Sequence, residues 1–185
     1  MPLAVALVIL MLAGWTQPGR ASDEAWQALR QGGAVALLRH ARAPGTGDPA
    51  DFRLDDCATQ RNLSAEGRQQ AQRTGEQFRA RQIPVERVLS SRWCRSLDTA
   101  RLAFGSMTEA AAPLDSFFSG REQEPAQTHA LRQIVEGWRS NGVLVLVTHQ
   151  VNITALTGIF PSEGEVLVLK PRTEIGFDVV GRLRP

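Results

Sequence analysis

Two of the three histidines in this chain close apolar runs. Residues 34–39 read AVALLR and lead into His40; residues 143–148 read VLVLVT and lead into His149. Arg39 precedes the first histidine directly, and Arg92 and Arg95 follow a third run, VLSS at 88–91. A dianionic phosphate monoester needs planar cationic forks to hold it and to neutralise its oxygens, and Arg39 and Arg95 can supply them. A neutral imidazole nitrogen of His40 can attack phosphorus in line, which divides hydrolysis into two easier steps. Neighbouring guanidiniums disfavour the imidazolium and so keep that nitrogen nucleophilic. The other ring nitrogen then needs an acceptor, such as a backbone carbonyl, to fix the tautomer. His149 can donate to a phosphoryl oxygen as charge develops there. This chemistry requires no metal and no other cofactor. Zinc ligation is the alternative use of two histidines, but no third ligand stands at a telling spacing. A single histidine at a strand end is more often structural, and an arginine at a helix start is commonly solvated. The coincidence of two such histidines with adjacent arginines carries the reading. His129 falls in the middle of a helical stretch and reads as a surface residue.

These groups are far apart in sequence, so the fold must gather them. Continuous apolar runs at 34–39 and 143–149, with turn signals on either side, read as buried strands; ERVLSS at 86–91 is a further short strand. Helical patterns fall at about 23–31, 64–81, 93–104, 124–139 and 151–158, the second capped by Ser64. A weak strand is expected at 111–114, and EVLVLKP with TEIGFDVVGRL forms a terminal antiparallel pair. Strands alternating with helices predict an α/β fold: a three-layer α/β/α arrangement around a mostly parallel sheet. In such sheets ligands bind beyond the carboxyl ends of the strands. That rule selects His40, Ser90-Ser91 and His149 for one edge. The polar loop from about 41 to 62 is long for a compact domain, and loops of that length are often functional.

The chain has 185 residues, 43% of them hydrophobic and 22% charged, with a formal charge of +2. This suits one domain with a true core. It gives no support for nucleic-acid binding driven by bulk charge. All basic residues but Lys170 are arginines. Residues 1–21 read as a signal peptide, with an apolar run from Pro2 to Trp15 too short to span a bilayer and small residues before Ser22. No basic residue precedes the run, and an uncleaved anchor is the alternative. Residues 22–185 then form the functional domain, exported or periplasmic, with no stable membrane span. Cys57 and Cys94 are an even pair in an exported chain and predict one disulfide; two free thiols are the alternative.

The segments LLRHARAPG, NLSAEGRQQAQRTGEQF, VLSSRWCRSLDTA and VLVLVTHQVNITALTG occur in this order across nearly the whole mature chain. In them the sequence resembles the histidine phosphatase superfamily, also called phosphoglycerate mutase-like. The resemblance implies an α/β/α fold, His40 as the phosphorylated nucleophile, Arg39 and Arg95 as phosphate ligands, and His149 as the second pocket histidine. Three positions depart from the usual pattern. Ala41 replaces the glycine after the nucleophile. Gln150 stands where the phytase and acid-phosphatase branch has a donor Asp, which argues against that branch. The mutase-like branch has a Glu after its third strand, and here the choice lies between Asp115 and Glu122, with Asp115 favoured as the catalytic acid. A Cys57–Cys94 bridge would staple the long loop over the pocket and bring Arg42, Arg53 and Arg61 near the substrate.

The expected activity is hydrolysis of a small phosphomonoester through phosphohistidine, with an envelope sugar phosphate as one possible substrate class. A module on the same fold that binds phosphate without turning it over is the alternative. The oligomeric state is not legible in the sequence.

Overall fold

The computed structural model describes residues 18–184. The apolar run of the expected signal peptide lies outside the described residues. Five helices and six strands follow in chain order: α1 (Pro18–Gln31), β1 (Val35–Arg39), α2 (Ala65–Ala80), β2 (Val85–Ser90), α3 (Cys94–Phe104), β3 (Thr108–Ala110), α4 (Glu124–Glu136), β4 (Val143–Thr148), α5 (Gln150–Thr157), β5 (Val166–Pro171) and β6 (Phe177–Leu183). The sheet order is β3-β2-β4-β1-β5-β6. The first four strands in that order run parallel, and β5 and β6 are antiparallel additions beside β1. No described helix is long and apolar enough to cross a membrane.

The strands read as unbroken apolar runs because both faces of the sheet are covered. Alternation along β1 shows this directly. Ala36 and Leu38 join a core with Ala25 and Leu29 of α1, Phe78 of α2 and Ala100 of α3. Val35 and Leu37 join the opposite core with Leu131 and Val135 of α4 and Ile153 and Leu156 of α5. The period of two in side-chain direction thus divides the protein into three layers, the arrangement expected from the sequence. On one face α2 lies so close to α3 that a Cβ at Gly75 would stand 2.1 Å from the Ala103 carbonyl oxygen. The Ser64 hydroxyl caps α2 by accepting from the Gly67 amide at 3.1 Å.

Three boundaries differ from expectation. The weak strand is at Thr108–Ala110, and Ala112–Leu114 is a 3-10 turn instead. Pro113 explains the shift: it lacks a ladder donor and its fixed φ suits the first turn of a helix. The helix α1 begins at Pro18, earlier than the amphipathic pattern suggested, and α4 ends at Glu136, before Gly137.

Register places the functional ends level with one another. β4 is central, between β1 and β2. Arg39 pairs with Thr148, and Ser90 pairs with Val147. The backbone then continues in step: the His40 amide donates to Thr148 O and the Ser91 amide to Val147 O, each at 2.9 Å. His40 and Ser91 are therefore held on either side of the residue that follows β4, His149.

Candidate active site

A cavity of about 190 Å³ opens at this sheet edge, lined on its inner side by Arg39, His40, Arg61, Arg95 and His149. Both histidines are buried, and their ring centroids are 5.4 Å apart. His40 Nδ1 lies 2.8 Å from the Ala41 carbonyl oxygen. A carbonyl can only accept, so Nδ1 carries the proton and Nε2 holds the free lone pair. Ala41 is fixed in turn, its amide donating to Thr99 Oγ1 at 3.0 Å on α3. His149 is held from behind, with Nε2 2.8 Å from Ser91 Oγ, while its Nδ1 faces Arg95 Nη2 at 3.5 Å.

Burial, then the Arg95 guanidinium, pushes the His40 pKa well below the usual histidine value; Arg39 and Arg61 act in the same direction. Burial and Arg95 also push His149 well below it, followed by His40 and the other two arginines. Both rings are neutral at neutral pH. In the unfolded chain they would protonate near pH 6.5, whereas in the folded chain they resist. The unfolded state therefore binds more protons below pH 6.5, and stability must fall as pH falls through that region. With two histidines the slope approaches about 2.7 kcal/mol per pH unit. Urea unfolding between pH 7 and pH 5 should show it, and a flat profile would contradict the buried neutral pair.

Arg39 and Arg95 are anchored but not saturated. Arg39 Nη1 donates to Pro161 O at 2.9 Å, and Glu163 lies 3.8 Å from Nη2. The Nε–H groups of both arginines are buried and have no hydrogen-bond partner. Buried donors without acceptors are uncommon, and here two of them belong to guanidiniums lining one cavity. Such a site suits an oxyanion.

The loop after β1 closes over this wall. Gly45 and Gly47 take positive φ, 97° and 70°, which lets the chain turn tightly across the cavity. Arg61 Nε donates to Gly47 O at 2.7 Å, and its Nη1 donates to Ala43 O. Cys57 and Cys94 form a disulfide with a Cα–Cα distance of 5.7 Å, tying the loop to the residue before Arg95. Gln60 adds a second tie, its Oε1 accepting from the Cys94 amide at 2.9 Å.

The structure thus brings His40, His149, Arg39 and Arg95 together. It does not bring Asp115 to the cavity wall. Both carboxylate oxygens of Asp115 are turned to Arg92: Oδ1 accepts from its amide at 2.8 Å and Oδ2 from its Nε at 2.7 Å. Oδ1 also accepts from Ser91 Oγ at 3.3 Å, so Asp115 supports the residue that holds His149. Glu122 is exposed on a 3-10 turn. Of the three loop arginines, Arg61 lines the cavity, whereas Arg42 is exposed and Arg53 pairs with Asp56. His129 is exposed, as read from the sequence. Among the described residues no three His, Cys, Asp or Glu side chains are grouped to hold a metal ion.

Sequence reasoning missed Asp48, which lines the cavity and pairs with Arg95, and Phe118 and Phe160, exposed rings at its outer side. Asp48 stands between Gly47 and Pro49, where an aspartate looks like an ordinary turn residue.

Residues 35–116 match the sequence model of the histidine phosphatase superfamily (branch 1). No curated protein sequence matches the chain. Among solved structures, the chain is similar to the protein histidine phosphatase SixA complexed with tungstate, with a TM-score of 0.58 at 15% identity, over 82% of this chain and 97% of that one. It is similar to a mycobacterial glucosyl-3-phosphoglycerate phosphatase, with a TM-score of 0.55 at 18% identity, over 79% and 96% of the two chains. It is also similar to phosphoserine phosphatase from Entamoeba histolytica in complex with 3-phosphoglyceric acid, with a TM-score of 0.53 at 15% identity, over 74% and 89%. At these identities the likeness shows the α/β fold of the chain.

Proposed function

We propose that this protein is an exported phosphomonoesterase of the histidine phosphatase superfamily that works through a phosphohistidine on His40. One observation carries the reading: a neutral imidazole whose Nδ1 is committed to a backbone carbonyl shares one cavity with the guanidiniums of Arg39 and Arg95, whose Nε–H groups are buried and unpartnered. His40 Nε2 attacks phosphorus; the N–P bond forms as the P–O bond to the leaving group breaks, with its electron pair on the leaving oxygen. Arg39 and Arg95 neutralise the non-bridging oxygens. Ser91 gives its single hydroxyl hydrogen to Asp115 Oδ1, so His149 donates from Nε2 to Ser91 Oγ while its Nδ1 accepts from Arg95 Nη2, which steadies that guanidinium beside the phosphoryl oxygens. Water then attacks the phosphohistidine and returns the N–P electron pair to His40.

Small phosphorylated compounds are the substrates this cavity fits. Its inner wall is cationic, but the outer wall offers the rings of Phe118 and Phe160, 44% and 67% exposed. Such a rim suits an uncharged ring on the leaving group, and a sugar phosphate of the cell envelope is the class we favour. The disulfide supports an oxidising, exported location. The alternative, a binding module without turnover, has no use for a nucleophilic nitrogen in that position.

Rapid quenching with labelled p-nitrophenyl phosphate tests the proposal. The expected result is label on the protein that is lost in acid and survives base, mapped to His40. Phosphate binding with no turnover of any ester would favour the binding module; turnover with no label on His40 would overturn the intermediate.

A further inference from the structure

An alkoxide leaves badly unless it is protonated as the P–O bond breaks. The two carboxylates singled out in the sequence, Asp115 and Glu122, do not line the cavity. Asp48 does, and among the described residues that line it no other side chain is an Asp or Glu. Its Oδ1 lies 2.6 Å from Arg95 Nη1, and its Oδ2 lies 3.2 Å from Nη2. Oδ2 also accepts from Trp93 Nε1 at 3.0 Å, and Oδ1 from the Arg61 amide at 3.2 Å. The side chain is 14% exposed. The free protein therefore keeps a carboxylate of its own on the guanidinium edge that a phosphate would use.

Resting on the phosphohistidine reading, we propose that Asp48 is the general acid that protonates the leaving oxygen, and the general base for the water that follows. The groups around it explain how one carboxylate can do both. Burial alone pushes the Asp48 carboxyl up, but its bonds to Arg95, Trp93 and the Arg61 amide outweigh that and hold it low. A bound phosphate takes donors from Arg95 and puts negative charge beside the carboxylate. The main partner holding the carboxylate ionised is weakened, a like charge is added, and burial remains; each change favours uptake of a proton from solvent. Asp48 then gives that proton to the leaving oxygen as the N–P bond forms. Once the alcohol departs, the carboxylate accepts a proton from the attacking water as the N–P bond breaks. As phosphate departs, the carboxyl releases that proton to solvent and regains its bonds to Arg95, so the cycle ends with Asp48 ionised, His40 neutral and free phosphate. The aspartate that follows the late histidine in another branch is replaced here by Gln150, whose Nε2 donates to Thr154 Oγ1 at 2.9 Å. The acid in this chain comes instead from the loop after β1.

The test is Asp48→Asn in the full chain, which preserves the side-chain shape and can still accept from Arg95. Two substrates are compared by kcat/KM, which reports the steps up to phosphorylation of His40. For a sugar phosphate the expected loss is about 10²–10⁴-fold. For p-nitrophenyl phosphate, whose phenolate leaves with little help, the expected loss is under about tenfold. A burst of p-nitrophenolate followed by slow turnover should also emerge in the variant, because water activation is impaired. Equal losses on both substrates would make Asp48 a positioning residue for Arg95 and overturn the acid role. Tighter binding of inorganic phosphate with undiminished turnover of both esters would make it a competing anion and overturn it equally. Wild-type protein that turns over neither ester would refute the phosphatase reading beneath, a result distinct from either of these.

Discussion

His40→Ala should lower turnover of p-nitrophenyl phosphate by at least about four orders of magnitude. The substitution removes the atom that forms the new bond, so no other group in the cavity can supply the intermediate. It leaves most of the binding apparatus in place. The amide of residue 40 still donates to Thr148 O, and Arg39, Arg61 and Arg95 are held by contacts of their own: Arg39 to Pro161, Arg61 to Gly47 and Arg95 to Asp48. Affinity for inorganic phosphate should therefore survive within about tenfold while turnover disappears, because charge-assisted bonds to guanidiniums carry the binding. Phosphate binding by calorimetry and turnover by absorbance, measured on the same preparation, decide the matter. A variant that keeps a tenth of wild-type activity would exclude His40 as nucleophile. Loss of phosphate binding along with turnover would mean that the imidazole is chiefly a ligand.

Removing the disulfide is the second change of large expected effect. Cys57 and Cys94 are separated by 37 residues in sequence. Closing a loop of that length restricts the unfolded chain by about 4 kcal/mol in chain-entropy terms, close to a thousandfold in the folding equilibrium. The cost to function has a different origin. Cys94 opens α3 immediately before Arg95, and Cys57 belongs to the same loop as Asp48 and Arg61. Cutting the bridge frees that loop from the helix that carries the phosphate fork, leaving Gln60, Asp48 and Arg61 to hold it. In the Cys57→Ser/Cys94→Ser variant, KM for a phosphoester should rise more than kcat falls, since the chemical groups remain and their preorganisation is lost. Denaturant titration with and without reductant measures the first effect, and steady-state kinetics the second. Wild-type protein unaffected by reductant in both would show the bridge to be incidental.

The fold was legible in the sequence where burial is complete. AVALLR and VLVLVT have no polar interruption because both faces of β1 and β4 are covered, and covered strands cannot hide their composition. The terminal strand pair and all five helices were legible for the same reason, since each has one face it must bury. The edge strand β3 was misplaced by a few residues because only three residues pair there and Pro113 interrupts the run beyond them. Within the site, His40 and His149 were readable from their place at the ends of central strands and Arg39 and Arg95 from their place beside such ends, and the resemblance to a family gave each an expected role.

Sequence alone therefore determined the layered fold, the two histidines and the pairing of the cysteines. The loop was decided only by the tertiary structure. Asp115 and Asp48 are both aspartates near turn residues, and nothing local distinguishes them. Folding turns the first carboxylate back onto the Arg92 amide and brings the second, 47 positions before Arg95, onto that guanidinium. Strand-end residues are fixed by ladder register, which periodic patterns reveal. A loop side chain is fixed by contacts with distant residues, and those have no periodic signature in the chain.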